Sequence, residues 1–124
     1  MRVEFGKKLL QHLQNLEESE TGKVFRFASH VRESGLDGLE GRNKDSINVP
    51  PTDPDFEEKV KRAKEKKFWH YHIGIECYDC GQFGDRTSKW VLHYSNYNPY
   101  YVRLAMLDYH PPFRLPRDEW LLLR

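Results

Sequence analysis

The sequence predicts a single α+β domain built on a small antiparallel sheet, and three observations carry that expectation. The stretch Phe68 to Glu76 is aromatic, β-branched and alternating, which is strand patterning. Leu9, Leu10, Leu13 and Leu16, and then Val24, Phe25, Ala28 and Val31, recur at helical spacing. Two more strand-like runs, Lys89 to Tyr94 and Tyr100 to Tyr109, follow the first across short turns, which favours an antiparallel meander. At 124 residues the chain is most simply one domain, residues 1–124, around one core.

In chain order, Arg2 to Phe5 alternates and reads as an edge strand with Val3 and Phe5 on one face. A first helix is predicted over Lys7 to Glu17. A second helix is capped by Ser19 and stopped by Gly35, and the two make an αα-hairpin. Leu36 to Thr52 holds Gly38, Gly41, Asn43, Asn48, Pro50 and Pro51 and reads as a loop. Asp53-Pro54 is an N-cap followed by proline in the first turn of a third helix, with Phe56, Val60 and Ala63 as its apolar stripe and Lys64, Lys66 and Lys67 near its C-terminal end. Strand periodicity puts Trp69, Tyr71, Ile73 and Ile75 in the core, and Phe68, His70 and His72 on an exposed sheet face. In the last strand, Val102, Leu104 and Met106 share one face, while Tyr101, Arg103, Ala105, Leu107 and Tyr109 share the other. Pro111 and Pro112 end it. Asp118 or Glu119 to Arg124 is a short helix or an extended tail whose Trp120 and leucines need burial.

Composition excludes some classes. Hydrophobic residues make up 38% and aromatic residues 14%, enough for a packed core, which argues against a disordered chain. The 20 basic and 19 acidic residues leave a net charge of +1, so a nucleic-acid partner requires local clustering. No run is long and apolar enough for a membrane span and the N-terminus has no signal-peptide apolar region, which predicts a cytoplasmic protein with no membrane partner. Cys77 and Cys80 are then expected to be reduced.

The chemistry-bearing residues are the histidines of the C-terminal half. His70 and His72 lie on one strand, His93 on the next and His110 at the end of the third. In a meander these imidazoles converge on one sheet face, with Arg103 and Tyr109 if the register allows. One group would take the proton of an RNA 2′-hydroxyl and another would protonate the leaving 5′-oxygen. An arginine would stabilise charge on the phosphorus oxygens. That route needs neither metal nor cofactor. Each of these residues alone is ordinary on a half-exposed sheet; the set of four carries the expectation. A metal site is the alternative use of His-x-His, but no acidic or cysteine ligand is placed beside it, and Cys77-x-x-Cys80 is half of a zinc pattern. Arg42, Lys44, Lys67, Arg86 and Lys89 flank the central strands, while the acids gather at Glu17, Glu18, Glu20 and from Asp53 to Glu58, a segregation that suits an RNA-facing surface.

The Gly41-Arg42-Asn43 loop, the Trp69-His70-Tyr71-His72 strand, the Val91-Leu92-His93-Tyr94 strand and a third strand ending near His110 together resemble the YafO family of bacterial toxins, within the wider RelE/ParE-like group. The resemblance spans Arg2 to Pro112. It implies a ribosome-dependent mRNA endonuclease neutralised by a cognate antitoxin, with mRNA on the ribosome as substrate. It also implies two helices on one face of a small antiparallel sheet, with RNA on the other. By position, His70, His72, His93 and His110 are the proton-transfer candidates and Arg103 the phosphate stabiliser. A toxin of the same fold with a non-nuclease target, and a non-catalytic binding module, are the alternatives.

Overall fold

The computed structural model describes residues 1–75, 77–109 and 113–123. His110, Pro111 and Pro112 lie outside them. The elements in order are β1 (Arg2–Phe5), α1 (Lys7–Leu13), α2 (Glu18–Ser34), β2 (Asn43–Asp45), α3 (Phe56–Lys66), β3 (Phe68–His72), β4 (Trp90–Asn98), β5 (Tyr101–Tyr109) and a single 3₁₀ turn (Asp118–Leu121). The strands form one sheet in the order β1-β5-β4-β3-β2. β2, β3, β4 and β5 pair antiparallel, but β1 runs parallel to β5, so the α+β sheet is mixed rather than antiparallel. Parallel neighbours need a long crossover, and here most of the chain supplies it.

One face of the sheet carries the main core. Leu9 and Leu13 of α1 and Val24, Phe27, Ala28 and Val31 of α2 pack on Tyr71, Ile73, Leu92, Tyr94, Val102 and Leu104. The predicted stripe of α2 is off by one position: Phe25 is 45% exposed and Phe27 takes its place, stacked on Tyr71 at 4.8 Å. Gly35 ends α2 with φ 73° and donates its N–H to the Val31 carbonyl, as its position predicts. Ser19 is not the cap; Glu17 holds that position in an extended conformation. α1 ends at Leu13, short of Glu17.

The opposite face is covered too. Phe68 and Ala105 pack there with Ala63 of α3 and Leu121 of the 3₁₀ turn, flanked by Ile47, Leu115 and Trp120. The expectation of an exposed histidine face is therefore overturned: His70, His72 and His93 are 4%, 6% and 3% exposed. A strand's alternation tells which residues share a face, not what else of the chain folds over it.

Three boundaries shift for local reasons. Asp53 does not cap α3; its carboxylate accepts the Asp55 N–H at 2.8 Å and pairs with Lys59, and the helix begins at Phe56. β2 forms inside the segment read as a loop. In β5, His93 pairs with Met106 but Tyr94 pairs with Leu104, so Ala105 is an extra residue, a bulge. The alternation is therefore broken there: Leu107, predicted on the other face, joins Val102 and Leu104 in the main core, with Met106 packed against it.

Candidate active site

The site is built on β2 and β3. Lys44 pairs with His70 in the antiparallel register, and the Arg42 carbonyl accepts the His72 N–H at 2.9 Å. Arg42 and Lys44 stand two residues apart, as do His70 and His72, so strand periodicity sends all four to one side. They line one cavity of about 400 Å³, together with Asp79 and with Phe113, whose ring meets His70 edge-on at 6.0 Å.

Each imidazole is held from behind. His70 Nδ1 lies 2.9 Å from the Ser46 hydroxyl, and Ser46 is fully buried. His72 Nδ1 lies 2.9 Å from the Ser88 carbonyl oxygen and 3.1 Å from the Ser88 nitrogen, so the same residue fixes the ring in either tautomer. The His70 and His72 rings are 5.8 Å apart. Arg42 makes a two-pronged pair with Asp85, at 2.7 and 3.1 Å, which sets the guanidinium at the cavity wall.

The electrostatics favour a neutral imidazole beside fixed cations. Burial lowers the His72 pKa below its usual 6.5, and the neighbouring Arg42 and Lys44 lower it further, against the opposing pull of the Ser88 hydrogen bond and Asp79. His72 is therefore neutral at pH 7 and able to accept a proton. The hydrogen bond from Arg42 holds the Asp85 carboxyl below its usual range. Arg42 and Lys44 are matched by Asp79 in the lining and by Asp85, which pairs with Arg42, so the cavity offers a lysine beside two imidazoles that can move protons.

The structure does not gather every candidate here. His93 lies beside His70, at 6.2 Å, but its Nε2 faces Asp108 Oδ2 at 3.9 Å, and Asp108 also accepts from Arg114 at 2.8 Å. Arg103 is elsewhere: its guanidinium donates to the Tyr101 hydroxyl at 2.8 Å and to the Leu121 carbonyl at 3.0 Å. Lys67 ends α3 in the left-handed region and donates to the Tyr97 carbonyl. Arg86 pairs with Glu40 at 2.9 Å, and Lys89 is exposed beside Ser88. His110 falls outside the described residues. Cys77 and Cys80 are free and exposed, and no group of three His, Cys, Asp or Glu side chains among the described residues is arranged to hold a metal. Sequence reasoning passed over Ser46, Ser88, Asp79 and Phe113; only Arg42-x-Lys44, with the same period as His70-x-His72, was a legible sign of the pairing.

Comparison of the chain with protein-family models, with curated proteins and with solved structures gives no match in any of the three. Among the described residues no helix is long and apolar enough to cross a membrane.

Proposed function

We propose that the chain is a metal-independent endoribonuclease, of the kind that acts as the toxin of a toxin–antitoxin pair. The observation that supports this is the cavity in which His70 and His72 meet Arg42 and Lys44. An RNA phosphate there is held by Lys44, beside Arg42, whose guanidinium Asp85 clamps at the wall. Neutral His72 takes the proton of the 2′-hydroxyl as its oxygen bonds to phosphorus. The bond from phosphorus to the 5′-oxygen breaks, and that oxygen takes a proton from His70 in its protonated form. The products are a 2′,3′-cyclic phosphate and a 5′-hydroxyl. The Ser46 hydroxyl both donates and accepts, so it supports His70 before and after it gives up its proton. Messenger RNA on the ribosome as substrate, and an antitoxin protein as partner, rest on the resemblance to YafO and RelE-like toxins.

The test is mapping of new 5′-hydroxyl ends in cellular mRNA after brief expression. Ends are expected with the wild type and not with Lys44→Ala, a substitution at an exposed position that leaves the fold intact. A chelator added to the purified reaction should change nothing. Growth arrest without new ends would replace the nuclease by a toxin with another target.

One observation favours a second reading. His70, His72 and His93 are all buried and engaged by Ser46, Ser88 and Asp108, as histidines serving only to order a core would be. On that reading the cavity is the anion pocket of a non-catalytic binding module. Retained RNA affinity with no cleavage under any condition would establish it.

A further inference from the structure

A second cavity, of about 300 Å³, opens on the other side of β3, between α2 and residues 78–83. Lys23, Arg26 and His30 of α2 line it, three and four residues apart and hence on one helix face; Lys23 donates to the Gly74 carbonyl and the His30 Nε2 meets the Asp37 carbonyl. Its one lining acid, Glu40, is already paired with Arg86 at 2.9 Å. Phe27 forms the floor, and Phe83 stands at the rim, 67% exposed.

Phe83 is not on a loose tip. Gly84 donates to the Glu40 carbonyl at 2.7 Å, Asp85 donates to the Gln82 carbonyl at 2.8 Å, and Asp85 is clamped by Arg42. The turn that carries the ring is thus held in place beside a cationic hollow. The same loop has a second role, since Asp79, Thr87 and Ser88 line the histidine cavity. One segment, 78–88, therefore walls both hollows, and Arg42 of the first is braced by the turn that carries Phe83.

We propose that this second cavity is a base-binding subsite for single-stranded RNA, in which a nucleobase stacks on Phe83 while Arg26 contacts the adjoining phosphate. A stacking aromatic beside backbone-tracking cations is the general means of holding single strands. The occupant is RNA rather than an apolar peptide because the lining has a cationic excess and its acid is spent. The proposal deepens the nuclease reading, on which the choice of RNA rests, by placing another nucleotide of the same strand on the far side of β3.

The test uses a short, fluorescently labelled 2′-O-methyl RNA, which has no 2′-hydroxyl to attack, and measures its affinity for the whole chain. Phe83→Ala is expected to weaken binding roughly 5- to 150-fold, and Phe83→Trp to restore it. Arg26→Ala should weaken binding and reduce the salt dependence by about one ion. Lys44→Ala should abolish cleavage of the corresponding cleavable RNA while Phe83 still contributes to affinity. Both Phe83 and Arg26 are exposed, so neither change threatens the fold. Binding by Phe83→Ala and Arg26→Ala equal to wild type, or no binding of RNA by the wild type, overturns the subsite. A wild type that never cleaves, but whose RNA affinity still depends on Phe83, refutes the nuclease and leaves the subsite standing.

Discussion

A Cβ placed on Gly41 would lie 1.9 Å from the His72 carbonyl oxygen and 3.1 Å from the Tyr71 ring. Only glycine lets the chain pass close enough to β3 for the next residues to pair, and those residues are Arg42 and Lys44. Gly41→Ala must push backbone from backbone, and a loss on the order of 3 kcal/mol or more is expected in urea unfolding, with loss of cleavage. A variant within about 1 kcal/mol of wild type would contradict this close approach. Ser46 acts on a smaller scale. Ser46→Ala removes the hydrogen bond to His70 and should cost about 1–2 kcal/mol of stability. It should also move the pH profile of cleavage, because the bond holds one ring nitrogen of His70; an unmoved profile would leave Ser46 a purely structural residue. His72 gives a pH dependence whose sign is set by its lowered pKa. Above pH 6.5 the imidazole is neutral in both folded and unfolded chains, and its contribution is fully present. As pH falls below that value the unfolded chain takes up a proton first, so stability declines, by at most about 1.4 kcal/mol per pH unit. The decline levels off once the folded pKa is passed. Urea midpoints across this range should fall less steeply for His72→Gln than for wild type; equal slopes would assign the effect to another group.

At the scale of elements, the parts that follow their own periodicity were legible. The core face of β3, the stop at Gly35 and the separate strands of the C-terminal half all follow from local pattern, because burial on one side imposes a period that survives in the sequence. The misses share a cause, since each is a place where a distant contact outweighs a local one. Asp53 has the chemistry of a cap, but Lys59 pairs with it at 2.7 Å while also donating to the Phe113 carbonyl at 2.9 Å. That lysine ties α3 to the segment that closes the histidine cavity. Asp53 has its pKa lowered, chiefly by the Lys59 hydrogen bond, so this tie is present above the usual carboxyl pKa of 3.8 and is lost as pH falls below it. The β5 bulge is a second miss. Ala105 is fully buried between Ala63, Phe68 and Leu121, with no room for a longer side chain. Ala105→Leu is expected to cost about 1–3 kcal/mol through overpacking. A thermal melt showing no loss would mean that the bulge absorbs the extra volume.

The whole molecule is a sheet between two covers of unequal kind. α1 and α2 make a regular helical layer on one face, and their packing was readable because each carries its own stripe. The other cover is assembled from α3, residues 46–50, Phe113 and the C-terminal turn, none of which buries a broad periodic surface. That is why the histidine pattern was visible while its burial was not: His70-x-His72 states a shared face, and only the assembled chain states that the face is closed. Closure changes the chemistry, since burial, with Arg42 and Lys44 adding to it, lowers the His72 pKa. The second cover hangs on few anchors. Leu121 is 6% exposed in the small cluster with Phe68 and Ala105, its carbonyl accepts from Arg103, and the Leu122 carbonyl accepts the Lys7 N–H at 2.8 Å. Leu121→Ala would leave a cavity under this cover and should cost about 2–5 kcal/mol. The loss should be uneven: amide exchange should rise first in the C-terminal turn and at the N-terminus of α1, while the amides of β4 keep their protection until global unfolding. Uniform loss of protection across the sheet would instead show that the two covers unfold as one unit.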